Sequence, residues 1–392
     1  MKKLKIHCLL TALLLLLPLT LQAEEPEAHK EAPKWLRPLL AVKNFIDSGA
    51  VRGIDQRYIS APKLPWQVIA KWNVNQSALK MKTNGAMVDE ETGLTLPFSA
   101  KPYMKTEPSQ YVGFWVGYRG YGAGYSVNVA GDKGSYLTFG ALGGAYAVSV
   151  RIHTFENDNP NFELNSSLID PQDASWQKWK LESPIKVRSV IASAIYLFNG
   201  KHFSYAAAYD QSVIQKRSAG SFMVGANYYY GHINYADNTN AGLIYLMQNA
   251  GRIKLWQASV GAGYAYNWVP FDGMLVSVMG MPMLTFVNRI KGYGYRTNVE
   301  DLIDEPWFLD PDISDEEWDR IFYEKARIEP IGTQSMSSGI AVNFDVRLSL
   351  TYNFDRYFIN ACGQFYNFQY NSDNSSGYLN DWYINASLGV RL

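Results

Sequence analysis

The sequence predicts an all-β fold, a transmembrane antiparallel up-and-down β-barrel of about 12–14 strands with a short N-terminal helix. Three observations carry this. Apolar and polar residues alternate with period two along stretches far longer than the usual strand of about 5–6 residues. Aromatic side chains gather at both ends of such stretches. The chain also stops on an amphipathic strand, with Trp382, Ile384, Ala386, Leu388, Val390 and Leu392 on one face and Tyr383, Asn385, Ser387, Gly389 and Arg391 on the other. Soluble domains usually fray at their ends. A terminal amphipathic strand ending in an apolar residue is similar to the signal read by barrel assembly machinery, which makes that machinery an expected partner during biogenesis.

Composition narrows the class. The 392 residues hold 36 Lys+Arg and 36 Asp+Glu, with 14% aromatics and 18% charged residues. A disordered chain would be charge-rich and aromatic-poor. A dedicated nucleic-acid binder would carry a basic excess, so no nucleic-acid partner is expected.

Residues 1–23 read as a secretory signal peptide: Lys2, Lys3 and Lys5, then the apolar run Leu9–Leu17, then Ala23 before a cut. Three lysines and no acids leave with it, so the mature chain carries 33 cations against 36 anions, a charge of −3. Cys8 lies in the signal, and Cys362 alone remains, so no internal disulfide can form. Residues 24–60 are expected to form a periplasmic segment with a short helix. Trp35, Leu36, Leu39, Leu40, Val42, Phe45 and Ile46 recur at roughly helical spacing there, and Gly49 and Gly53 end the run.

The barrel is expected over 61–392. Its best strand is Ile340–Tyr352, with Ile340, Val342, Phe344, Val346, Leu348, Leu350 and Tyr352 on one face and Asn343, Asp345, Arg347, Ser349 and Thr351 on the other. Residues 252–268 repeat the pattern. From Trp256 to Trp268 is 12 steps, or about 40 Å at ~3.3 Å per residue. Tilted by ~35–45°, that rises roughly 30 Å, close to an apolar band with its two aromatic girdles. Tyr146–His153, Phe222–Gly231, a Tyr111–Arg119 and Gly122–Ala130 hairpin, and the more uniformly apolar Met274–Val287 fit the same template. Pro282 in the last of these is expected only at an edge or bulge. Short turns (Val269–Gly273, Asn353–Arg356) alternate with longer loops (290–334, 371–377), which puts the C-terminus on the turn side. That parity fails upstream. Asn199-Gly200 reads as a tight hairpin turn on the loop side, with the long 156–182 stretch on the turn side. A strand near Gly242–Gln248 is one way to restore the count.

Candidate chemistry is sparse. Arg151, Asn343, Asp345 and Arg347 face the expected interior and are the candidate lumen-binding residues, since buried charges must pair. His202-x-Ser204 would share a strand face as base and nucleophile. It is similar to a pair in barrel lipid-A deacylases, but Asp210 sits about 26 Å along the strand, too far to orient the His. Ser149 and His153 are roughly 13 Å apart on the face of Arg151. Asp310, Asp312, Ser314 and Glu316 mimic a calcium loop, but position six is Asp315 and position twelve is Ile321. Ser314-x-x-Glu317 instead starts an acidic helix within an outer loop at about 290–334. No phosphate-cradling glycine motif and no metal-ligand spacing stands out, so neither cofactor nor metal is expected.

The stretches YISAPKLPWQV (58–68), VGYRGYGAGYSVNV (116–129) and QKRSAGSFMVG (215–225), with the terminal strand, resemble a family of secreted Gram-negative proteins known as domain of unknown function 4421. The resemblance covers roughly 50–392, and the acidic stretch 300–326 is a candidate departure. It implies an outer-membrane barrel of a Gram-negative bacterium and supplies no substrate. The expectation is a non-enzymatic envelope component, narrow porin-like pore or surface-binding scaffold, in contact with outer-membrane lipid and lipopolysaccharide. Two alternatives stand beside it: a barrel esterase using His202 and Ser204, and a soluble periplasmic barrel holding an apolar ligand.

Overall fold

Alternation along the chain becomes alternation across a wall. In a computed structural model, which describes residues 53–392 apart from 89–94, 167–176, 179, 248, 338 and 372–374, twelve antiparallel strands close on themselves. The expected signal peptide and the helix at 35–46 lie outside the described residues. The strands are β1 (Trp66–Val88), β2 (Ser109–Tyr118), β3 (Tyr121–Ala130), β4 (Lys133–Leu142), β5 (Tyr146–Asn157) and β6 (Ile185–Leu197). They continue with β7 (Ala219–Asn234), β8 (Ala250–Trp268), β9 (Met274–Thr297), β10 (Ala341–Phe354), β11 (Tyr357–Asn371) and β12 (Ser375–Arg391). Each pairs with its neighbours in sequence, and β12 closes onto β1 from Ser375↔Thr83 to Arg391↔Gln67. The number of strands is therefore the lower of the two expected.

The wall is apolar outside and polar inside. On β10, Asp345 is fully buried while Leu348 is 57% exposed. Val342, Phe344, Val346, Leu350 and Tyr352 face out with Leu348, and Asn343, Arg347, Ser349 and Thr351 face in with Asp345. On β8, Val260, Tyr264, Tyr266 and Trp268 face out against Gln257, Ser259 and Asn267. Inward positions of β9 are apolar too: Met279, Met281 and Met283 form a buried column.

Pro282, expected at an edge or a bulge, is not at an edge. It sits mid-wall on β9, facing out and opposite Phe344. On its other side the β8 ladder skips from Gly261↔Met283 to Tyr264↔Gly280, so the missing N–H falls in a local gap.

Chain direction sorts the connections onto two ends. At the end holding the C-terminus (the near end), Arg119-Gly120 joins β2 to β3 with φ of 50° and 87°, the left-handed pair that a tight hairpin requires. The 269–273 and 355–356 turns lie at the same end. The other end (the loop end) carries the long connections. There α2 (Ala241–Leu246), α3 (Val299–Ile303) and α4 (Asp315–Lys325) cover the barrel. The expected strand near Gly242–Gln248 is this helix α2 instead. The loop expected at 290–334 is partly strand, because β9 runs on to Thr297 and Ile328–Ser337 returns along it.

The parity conflict resolves at 198–218. β5 ends at Asn157 and β6 begins at Ile185 on the loop end, and Asn199-Gly200 lies at the near end. That Asn-Gly turn does not reverse into a strand. It leads into a loop holding α1 (Tyr205–Tyr209), which enters the barrel. A Cβ at Gly200 would stand 2.2 Å from the Gly144 carbonyl oxygen, so glycine is required by close approach of the next turn.

Candidate functional site: a plugged lumen

The segment 198–218 fills the near end. Its α1 helix is five residues long, YAAAY, and Ala206, Ala207 and Ala208 are buried. Small side chains let a helix stand inside a wall already lined by side chains. Phe203, Tyr205 and Ala206 pack with Leu197, Met223 and the Met279–Met283 column. Ala207 and Ala208 pack with Leu275.

Five wall strands then bind the backbone of the plug. Gln67 Nε2 donates to the Asp210 carbonyl (2.9 Å), Asn267 Nδ2 to Ser204 (2.8 Å) and Ser349 Oγ to Ala208 (2.6 Å). Asn360 Nδ2 also reaches Ala208 (3.2 Å), and Arg391 Nη2 reaches Gln211 (2.9 Å). The Ala208, Asp210 and Gln211 carbonyls, at and past the last turn that a short helix leaves unpaired, are thereby satisfied. The N-terminal stretch clasps the plug from below. Ile59–Ser60 pairs with Ile214–Gln215, Lys216 N donates to the Tyr58 carbonyl (2.7 Å), and Arg119 donates to Pro62 (2.9 Å). Three of the sequence stretches quoted above, around 58–68, 116–129 and 215–225, thus meet at one end.

Above the plug the lumen charges divide into two networks. Arg347 grips Asp345 through two of its nitrogens (Nε 3.0 Å, Nη2 2.6 Å), and its Nη1 bonds the Tyr205 hydroxyl of the plug. Its Nη2 also donates to Tyr366 Oη (2.9 Å), while Gln364 Nε2 donates to Asp345 (3.1 Å). Arg151 does not join this pair. It meets Asp381 at 3.2 Å and lies over the Tyr383 ring at 4.5 Å. Asn343 belongs to a further layer, donating to Thr285 Oγ1 (2.7 Å) and accepting from the Gln369 N–H (3.0 Å). The four expected lumen residues all point inward, but only Asp345 and Arg347 touch. Between the networks lies a cavity of about 160 Å³, bordered by Lys71, Arg151, Tyr205, Asp210, Arg347 and Cys362.

Sequence reasoning missed Tyr205, Gln364, Tyr366 and Asp381. The alternation signal does contain three of them. Gln364 and Tyr366 flank outward Phe365 on β11, and Asp381 precedes Trp382 on the terminal strand. Tyr205 gives no such signal, because it lies in a loop.

His202 and Ser204 do not lie on a strand. Ser204 is the N-cap of α1, its Oγ accepting from the Ala207 N–H at 3.1 Å. His202 turns to Asn199 Oδ1 (3.0 Å through Nδ1), to Asp55 (3.6 Å from Nε2) and to the Tyr58 ring (4.5 Å). Hydrogen bonds from Arg57 hold the Asp55 carboxyl well below the usual carboxylate range. The base and nucleophile of the esterase reading are therefore each committed to other partners.

His153 packs between Tyr136 and Phe155 (3.9 and 4.5 Å) and bonds Tyr111 Oη at 3.0 Å. The acidic loop forms α4 with Ser314 as its cap, accepting from Glu317 N at 3.3 Å, and Trp318 stacks on Phe322 at 5.0 Å.

Among solved structures, the outer membrane protease OmpT of Escherichia coli aligns at TM-score 0.35 and 8% identity, over 85% of this chain and 100% of that one. The outer membrane protein OprG of Pseudomonas aeruginosa aligns at 0.26 and 11%, over 86% and 98%. The toluene transporter TodX of P. putida aligns at 0.23 and 9%, over 85% and 91%. At these scores the likenesses carry no argument about this chain. No curated protein matches it. A family model described as Domain of unknown function (DUF4421) matches residues 73–391, running through the acidic stretch at 300–326. The chain belongs to the domain of unknown function 4421 family.

Proposed function

We propose that the protein is an outer-membrane β-barrel of a Gram-negative envelope, exported by its first 23 residues, with its near end in the periplasm and its loop end at the cell surface. The role best supported is a non-enzymatic scaffold with a closed lumen. One observation carries it: the chain's own 198–218 segment occupies the near end, and five wall strands hydrogen-bond its backbone. The membrane placement rests on the wall itself. Its outer face carries Val342, Phe344, Val346, Leu348 and Leu350 in unbroken alternation with buried polar residues. A closed sheet is the arrangement that lets strands cross a bilayer with every backbone group paired. Outer-membrane lipid, lipopolysaccharide and the barrel assembly machinery are the partners this placement brings.

Planar-bilayer recording tests the role. Wild type should be silent. Steady open-channel conductance from wild type would overturn a closed scaffold. A second reading, a gated narrow pore, is favoured by the charged cavity directly above the plug. Replacing 203–211 with a Gly/Ser linker separates the two: discrete steps that change in Asp345→Ala or Arg347→Ala support the pore, and continued silence supports the scaffold. Release from membranes by alkali without detergent would instead favour a soluble barrel.

A further inference from the structure

The outer wall is not apolar throughout. On four adjacent strands, β6 to β9, the alternation that exposes Val224, Tyr228 and Val260 lower down turns cations outward nearer the loop end, with Arg188 and Arg289 exposed and His232, Arg252, Lys254 and Lys291 half-buried. Arg188 stands opposite His232, His232 opposite Lys254, and Lys254 opposite Lys291. One row further out, Arg252 lies across from Tyr293, and one row further in, Trp256 lies across from Arg289. Outward direction follows from the intervening residues. Ile233 and Ile253 are buried in the interior, with Ile290 packed against the same cluster.

Residues directly opposite on neighbouring strands have Cβ atoms about 5 Å apart, and like charges so placed repel. This patch sets Lys254 directly opposite Lys291, with Arg252 in the next row. Among the described residues none of Arg188, Arg252, Lys254, Arg289 and Lys291 forms an ion pair. Among the described residues, acids lie at its border, with Glu156 and Asp237 beside Lys186 and Glu329 opposite Arg296. The Tyr293 ring gathers the charges instead: Arg252 lies 3.6 Å, Lys291 5.3 Å and Lys254 5.4 Å from its centre. Among the described residues, the buried Arg252 Nε and His232 Nε2 find no hydrogen-bond partner.

Two neighbouring features say what covers the patch. Its lowest row is also aromatic, with Tyr230 opposite Trp256 and Trp256 opposite Arg289, of the kind that marks the headgroup level of a bilayer. Beside it the β9 ladder changes partner on its β10 side, from Arg289↔Ser337 on the returning strand to Thr285↔Ala341 on β10. An open cleft of about 700 Å³ lies at this seam, bordered by Tyr228, Trp256, Val287, Arg289, Lys291 and Ser335. Its lower border is apolar and its upper border cationic.

We propose that this face of β6–β9 is a binding site for a phosphorylated membrane lipid of the lipid A type, with its phosphates on Arg188, Arg252, Lys254, Arg289 and Lys291 and an acyl chain in the seam beside Trp256. The site rests on the membrane placement proposed above and identifies which lipid the wall selects. A phosphate answers the mutual repulsion of the cations, and an acyl chain answers the apolar lower cleft. A free anion would use only the first.

Native mass spectrometry of detergent-solubilised protein tests this with lipid A and its phosphatase-treated form as probes. Wild type should retain lipid A, and Arg252→Gln/Lys254→Gln/Lys291→Gln should bind it roughly a hundredfold more weakly, at ~1 kcal/mol for each interfacial cation. Arg356→Gln, an exposed cation at the near end, should bind as wild type does. Equal retention of lipid A by the triple variant, equal binding of the dephosphorylated lipid, or full competition by inorganic phosphate would each overturn the proposal. Insertion into neutral phosphatidylcholine vesicles, read by heat-modifiable migration, is checked for both proteins. Failure of wild type to insert counts against the membrane placement. Insertion without lipid A preference counts against the site alone.

Discussion

Arg151 on β5 and Asp381 on β12 meet at 3.2 Å across the barrel interior, although four strands separate them one way around the wall and six the other. Ser77 Oγ donates to the same carboxylate at 3.3 Å, and Tyr383 lies beneath the guanidinium. The pair therefore ties distant arcs of the cylinder. Breaking a buried pair by removing one partner typically costs about 3–5 kcal/mol, while replacing both by apolar groups costs far less. Asp381→Ala should lower the urea midpoint of the folded barrel sharply, and Asp381→Ala/Arg151→Met should recover most of the loss. Equal loss in single and double variants would mean that the ion pair does not couple these strands.

The plug helix depends on its cap. Ser204 Oγ accepts the Ala207 N–H, and Ser204→Ala should cost about 1 kcal/mol. The same substitution separates structural from catalytic use of Ser204. With His202 held by Asn199 and Asp55, hydrolysis of a short-chain ester should be indistinguishable between wild type and variant. A selective loss of hydrolysis in Ser204→Ala with unchanged heat resistance would restore the esterase.

What the sequence made legible follows from the physics of alternation. β10 and β8 read clearly because each residue has one of two environments, so Asp345 and Leu348 declare their faces. The plug did not read. YAAAY has too few residues for a helical period, and its burial comes from Ala side chains small enough to enter a filled barrel. His202-x-Ser204 looked like a strand for the same reason: period two persists by chance over three residues. Arg151 could be placed inside, but its partner could not be named, because pairing across the lumen depends on where a strand closes and not on local spacing. The cationic rows on β6–β9 were visible only once register set Lys254 against Lys291.

Stability should also depend on pH through the β3–β4 turn. Burial there, with Asp158 and Glu107 adding like charge, raises the Asp132 carboxyl to about 7 from an ordinary 3.8, against a lowering bond from Ser109. In this direction the folded state holds a proton that the unfolded state has released. Asp132 therefore contributes no penalty below the unfolded value, and stability falls as pH rises from about 4 to about 7. At 1.36 kcal/mol per unit the full effect is at most about 4 kcal/mol. Asp132→Asn should raise the midpoint of thermal unfolding at pH 8 and leave it nearly unchanged at pH 4. An equal gain at both values would remove this carboxyl as the cause.

The outward face gives the sharpest check on what surrounds the wall. Leu348 is 57% exposed at the middle of β10, between Val346 and Leu350, with its strand neighbours Val278 and Gly363 at the same level. In water an exposed Leu→Arg change at a well-formed strand is nearly neutral. In hydrocarbon, Arg near the midplane of a barrel costs roughly 2–4 kcal/mol, falling toward zero near the interfaces. Leu348→Arg should therefore lower folding stability in phosphatidylcholine vesicles by that amount, whereas Ile340→Arg, 80% exposed at the loop-end start of the same face, should cost roughly 1 kcal/mol or less. The gradient between the two positions is the diagnostic quantity. Equal small effects would place both residues in water and leave the barrel outside any bilayer.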